Sequence, residues 1–215
     1  MGEPMRLILV RHGETDSNRA GLALGQADVE LNEHGRWQAQ RLATSLKDEP
    51  IAAIYSSPQK RALATAEPIA SSHGLAVQVD EGLIEMDIGE TEGLTFRQVG
   101  ERYPHFLRSW LGGQAAYEPM PGGERLLDVQ ERAWQAIERI RQRQEQGTVA
   151  VVTHNFVILT LLCRVLGLEL ADFRRLRHSV AAKSVLEMGR DRTIVMSFND
   201  TCHLEADQAS HPTPA

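Results

Sequence analysis

Cysteine is scarce in this sequence. Its 215 residues include 2, Cys163 and Cys202, and they form no Cys-x-x-Cys arrangement. A free-thiol protein of a reducing compartment is therefore expected, not a disulfide scaffold. Surplus positive charge is also missing. The net charge is −6, so nothing draws the whole chain toward nucleic acid or an anionic membrane, and any anion site has to be a local cluster of Arg and His. No stretch approaches the ~20 apolar residues of a membrane span. The longest candidate, "FVILTLLC", soon meets Arg164 and reads as a core helix. The opening "MGEPMRLILV" carries Glu3 and Pro4 before a short apolar run, which does not suit a secretory leader. No His, Cys and Asp cluster sits at metal-ligand spacing, so neither a metal nor a cofactor is expected.

The rest is globular: 42% hydrophobic, 24% charged, with no internal repeat and no linker long enough to divide it. We expect a cytoplasmic protein of one domain over residues 1–205, with a disordered polar tail at 206–215. The continuous apolar runs "RLILV" and "TVAVVTH" suit strands covered on both faces. "IAAIYSS" and "LAVQVD" read as further strands, and "VAAKSVLEM" with "RTIVMSF" as a hairpin. Helices are predicted after Asn32, after Pro58 (with a kink at Pro68), across "ERLLDVQERAWQAIERIRQRQEQG", and through "NFVILTLLCRVLG". The alternation predicts an α/β fold, a mostly parallel sheet with helices on both faces. Residues 86–123, rich in glycine and carrying Tyr103, Phe106 and Trp110, read as a small lid of short helices and loops.

Two strands end on histidine: "LILVRH" at His12 and "VAVVTH" at His154. Ligands of open α/β sheets bind beyond the carboxyl ends of the strands, so parallel pairing brings both imidazoles to one rim. Arg11, Arg61 and Glu85 fall near the same rim. Arginine is permanently charged and its planar fork matches phosphate oxygens. Two arginines and a histidinium can neutralise a phosphoryl group, while a second imidazole attacks phosphorus and a carboxyl group protonates the leaving oxygen. Gly13 would let the backbone approach closely, and its carbonyl could set the tautomer of the nucleophile.

The stretches "LVRHGETDSN", "SSPQKRALATA", "LIEMDIGETEG" and "VVTHNFVI" resemble, in order, the motifs of the histidine phosphatase superfamily, whose fold is phosphoglycerate mutase-like. The resemblance runs from Arg6 to about Leu204. It implies that His12 is the phosphorylated nucleophile and Glu85 the proton donor. It further implies a phosphate pocket of Arg11, Arg61, His154 and Asn18, completed by backbone around Asn155 and Gly25. The chain departs from many relatives in placing Asn155, not Gly, after the second histidine. "PMPGGERLLDVQER" and "FNDTCHLE" resemble the small phosphatases of the superfamily, so a metal-independent phosphatase for a small phosphomonoester is expected ahead of a cofactor-dependent phosphoglycerate mutase. A homodimer is compatible with this reading.

Other residues invite plainer readings. Arg102 and Tyr103 are taken as lid contacts to the organic part of the substrate. Ser57 reads equally as a phosphate contact and as the cap of the helix from Pro58. The run Arg174–His178 is read as a solvated helix face before a basic edge of the pocket. His34, His73, His105, His178, His203 and His211 are assigned to the surface or to caps.

Overall fold

The computed structural model describes residues 4–144 and 146–205. The tail at 206–215 and His211 lie outside the described residues. The strands are β1 (Met5–Arg11), β2 (Ile51–Ser56), β3 (Val77–Val79), β4 (Gly147–Thr153), β5 (Lys183–Met188) and β6 (Thr193–Asp200). The helices are α1 (Asp16–Arg19), α2 (Glu33–Leu46), α3 (Lys60–His73), α4 (Phe96–Arg102), α5 (Pro104–Ser109), α6 (Leu126–Arg143), α7 (Asn155–Leu166) and α8 (Cys202–Glu205).

One sheet holds all six strands in the order β3-β2-β4-β1-β5-β6. The first four are parallel. The predicted hairpin adds β5 antiparallel to β1, and β6 antiparallel to β5. Alternation along each central strand divides the core. Leu7 and Leu9 of β1 join Val149 and Val151 of β4 against α6 and α7. Ile8 and Val10 join Ala150 and Val152 against Leu42 and Leu46 of α2 and Ala62 and Ala66 of α3. Helices therefore cover both faces, which is why these strands are apolar throughout.

Local signals set the helix ends. Asn32 caps α2, its Oδ1 accepting from Gly35 N at 2.8 Å. Gly74 ends α3 and Gly167 ends α7, both at φ 65°. The α3 helix continues through Pro68 without a break. The segment 86–123 does contain short helices and turns, and it is anchored: Trp110, Ala115, Ala116 and Met120 are buried with α6 in the larger core.

Among the described residues no helix is long and apolar enough to cross a membrane.

Candidate active site

Parallel pairing of β1 with β4 puts Arg11 opposite Thr153. The next residue in each strand is a histidine, so the register itself makes the pair. His12 N donates to Thr153 O at 3.0 Å, and the two ring centroids lie 5.1 Å apart. On the other side of β4, Ser56 of β2 pairs with Val152, and Ser57 follows. The sheet order changes direction here, since the chain leaves β1 to build β2 and β3 on one side and returns to build β5 and β6 on the other.

His12 is 2% exposed. Its Nδ1 lies 2.7 Å from the Gly13 carbonyl, to which it donates, so Nε2 keeps the free lone pair. The Gly13 loop is held on both sides. Gly13 N donates to Thr65 Oγ1 at 3.0 Å, and a Cβ on Gly13 would lie 2.5 Å from Gly35 O. The close approach that requires this glycine is therefore to α2. Burial, with Arg61 and Arg11 nearby, holds the His12 imidazole well below the usual histidine pKa. It is a neutral base.

His154 is fully buried. Its Nε2 lies 2.7 Å from Ser57 Oγ. Ser57 Oγ also accepts from Gln59 N; with the hydroxyl as donor to His154 Nε2, the imidazole proton resides on Nδ1. Burial, then His12, Arg61 and Arg11, hold His154 well below the usual value too. Ser57, for which the sequence left a phosphate contact and a helix cap open, bonds the second histidine; Gln59 is the N-cap residue of α3.

Arg61, in the first turn of α3, is fully buried; it donates to Gly25 O at 2.7 Å and Ala27 O at 2.8 Å. Gly25 contributes through that carbonyl, which also accepts from Gln59 Nε2. Arg11 donates to Asn155 Oδ1 at 3.1 Å and to the His178 carbonyl. Burial lowers its pKa to about 10, which leaves it charged at neutral pH. The Asn155 side chain, not only its backbone, therefore belongs to the site. Arg11 Nε, Arg61 Nε and His154 Nδ1 are buried without a protein partner.

Glu85 is 3% exposed and sits in the loop after β3. Its Oε1 accepts from Met86 N at 2.8 Å, and its Oε2 from Phe156 N at 3.3 Å. Burial raises its pKa, against the opposing pull of those amides and of Arg61 and Arg11. Its backbone is pinned by Gln59 Oε1, Gln26 Nε2 and Arg132 Nη2. Arg132 also reaches the Gly82 and Ile84 carbonyls and pairs with Glu124. Gln59 and Arg132 were not singled out from the sequence. Each acts from a different segment, through backbone atoms that carry no sequence signal.

A groove of about 590 Å³ opens beside this cluster, with Arg11, Asn18 and Asn155 in its wall. Asn18 also completes a capping box with Thr15. Three expectations need correction. Arg102 and Tyr103 do not line this groove: Arg102 is exposed, and Tyr103 Oη donates to Glu90 Oε2 at 2.8 Å. Arg174 and Arg177 do line it, because the Arg174–His178 stretch folds back over Arg11. His178 and His203 are buried, bonded to Ser184 Oγ and the Ala181 carbonyl. Among the described residues no group of three or more His, Cys, Asp and Glu is placed to hold a metal.

Buried imidazoles facing each other, flanked by two arginines and a raised-pKa carboxyl at the ends of parallel strands, define a class of phosphate-handling α/β enzymes. Residues 7–201 match the histidine phosphatase superfamily (branch 1), and the chain belongs to that superfamily. It is 37% identical over 200 residues to phosphoserine phosphatase 1 of Hydrogenobacter thermophilus, covering 93% of this chain and 94% of that protein. It is 32% identical to a metal-independent phosphoserine phosphatase of Arabidopsis thaliana, covering 95% and 85% of the two chains. Among solved structures it resembles Bacillus stearothermophilus YhfR, with a TM-score of 0.87 and 33% identity over 94% of this chain and 100% of that one.

Proposed function

We propose that the protein is a phosphoric monoester hydrolase that cleaves a small phosphorylated metabolite through a phosphohistidine on His12. The observation that carries this reading is the His12 tautomer. The Gly13 carbonyl accepts a hydrogen bond from Nδ1–H, so a neutral Nε2 lone pair is available among buried cations. The substrate's phosphoryl dianion is held by Arg11, Arg61, Asn18 and His154. Buried donors without protein partners, Nε of both arginines and Nδ1 of His154, suit an anion that would satisfy them. His12 Nε2 attacks phosphorus in line as the P–O ester bond breaks. Glu85, whose acid form burial favours, gives its proton to the departing alkoxide. The carboxylate then takes a proton from water, which attacks the phosphohistidine and releases inorganic phosphate. Positioning and fixed positive charge supply most of the rate, as in other phosphoryl transfers.

Two relatives of high coverage are named phosphoserine phosphatases, so phosphoserine is the first substrate to test. The metal-independent name of one of them supports turnover that chelators leave unchanged. Free Cys163 and Cys202 support a reducing, cytoplasmic setting. Phosphate release from a panel of phosphomonoesters tests the assignment. His12→Ala is expected to lose on the order of 10³-fold or more in kcat, since the covalent route is gone. Acid quench of the wild type should trap an acid-labile phosphoenzyme. Phosphate release that survives in His12→Ala would overturn the nucleophile. Phosphoglycerate interconversion faster than phosphate release would assign the mutase instead.

A further inference from the structure

The groove beside Arg11 carries more positive charge than a phosphoryl group uses. Its lining includes Arg11, Arg174 and Arg177, against a single carboxylate, Glu14. Glu14 is already engaged by Arg19 and Asn32. The acidic neighbour Asp172 pairs with Arg175, which is not in the lining. Arg174 is fixed in place. Its Nη2 donates to Trp110 O at 2.7 Å and its guanidinium lies 4.8 Å from the Phe173 ring centroid. Arg177 is exposed, and among the described residues its guanidinium has no hydrogen-bond or ion-pair partner.

The position of Arg177 is set by the site. It precedes His178, whose carbonyl accepts from Arg11. The backbone that carries the free arginine is thus tied to a residue of the phosphate cradle. Between the polar Asn18, Asn155 and Ser179, the residues Leu22, Leu159, Phe173 and Leu176 give the groove apolar wall that suits a short carbon body. In a chain of net charge −6, such a cluster is a local feature, not a consequence of composition.

We propose that Arg177, with Arg174 as a fixed wall, forms a second anion subsite that takes a carboxylate on the body of the substrate. This rests on the phosphatase reading above and narrows it to phosphomonoesters of small hydroxy or amino acids. The planar fork of Arg177 would meet both carboxylate oxygens, and the walls would hold the carbon chain between the two anionic ends.

The test compares three phosphomonoesters. Phosphoethanolamine lacks only the carboxylate of phosphoserine. Glycerol 3-phosphate has the same net charge as phosphoserine at neutral pH, so long-range attraction acts equally on both. Arg177→Ala is expected to reduce the kcat/KM ratio of phosphoserine over glycerol 3-phosphate by about tenfold or more, about tenfold being the low end for a single charge-assisted hydrogen bond. The ratio over phosphoethanolamine should fall similarly, and the loss should lie in KM. Arg177→Lys should recover part of the preference. Equal loss on all three substrates would overturn the subsite, because the arginine would then be serving the phosphoryl group or steering. A wild type that prefers glycerol 3-phosphate would overturn it as well. A wild type inert on every phosphomonoester would instead remove the phosphatase reading on which the subsite stands.

Discussion

Glu85 has to remain protonated at a pH where an ordinary glutamate has ionised. Its raised pKa has burial as the main cause, so the acid form persists to higher pH and is lost as pH rises through the folded value. His12 is shifted the other way, again chiefly by burial, so its base form persists below the usual histidine range. The proposed first step needs both forms, and together they place the active window on the acidic to neutral side. For wild type, kcat/KM is expected to fall on the alkaline limb. Glu85→Gln should lower kcat by about 10²–10⁴-fold, the usual worth of a positioned proton donor. It should also flatten that limb, because glutamine does not titrate. An unchanged limb in the variant would assign the alkaline ionisation to another group.

At the scale of elements, α2 and α3 form the mould for the His12 loop. A Cβ on Gly35 would come within 2.0 Å of Glu14 O, a backbone atom with no room to rotate away. Gly35→Ala is thus expected to push the Arg11–Glu14 turn from its seat. Overpacking of this kind costs about 1–3 kcal/mol, a drop of several degrees in Tm for a chain of this size. The informative readout is the pairing of effects: kcat should fall with Tm, whereas Ala at Gly74, where nothing lies within 4 Å of the added Cβ, should strain the helix end and lower Tm alone. A Gly35→Ala protein with full kcat would show that α2 is not part of the mould. These contacts also explain what the sequence could and could not reveal. Histidines at strand ends, the Arg61 turn and the Glu85 loop were legible because strand periodicity and motif order place them at one rim. Ser57 beside His154, Gln59 and Arg132 holding the Glu85 backbone, and Arg174 and Arg177 over Arg11 were not. Each depends on pairing across 26 to 167 residues of chain, often through a carbonyl or amide. Arg102 and Tyr103 were misplaced for the same reason, since a basic and aromatic texture does not say which way a segment folds.

Over the whole molecule, the site is built at a cost in stability that depends on pH. His12, His154 and His178 are buried and neutral, with pKa lowered by burial first; for His178 it is about 4. In the unfolded chain each returns to about 6.5. Below that pH the unfolded state binds protons that the folded state refuses, so stability falls as pH falls, by at most about 1.4 kcal/mol per pH unit for each histidine. Glu85 has the opposite sign. Its raised folded pKa costs stability above the ordinary glutamate range, and that cost is relieved as pH falls toward it. The histidines outnumber it, so net loss of stability is expected between pH 6.5 and 5. The contribution of one site can be isolated by difference. Tm measured at pH 7.5 and pH 5 should drop less in His12→Asn than in wild type, because the variant has one fewer proton to refuse. Adding inorganic phosphate or vanadate should narrow the wild-type gap, since an anion in the cradle favours protonated histidines and raises their folded pKa. Parallel Tm curves for the two proteins, with and without the anion, would mean that His12 can take up a proton in the folded state. The neutral, aimed nucleophile on which the chemistry depends would then be lost.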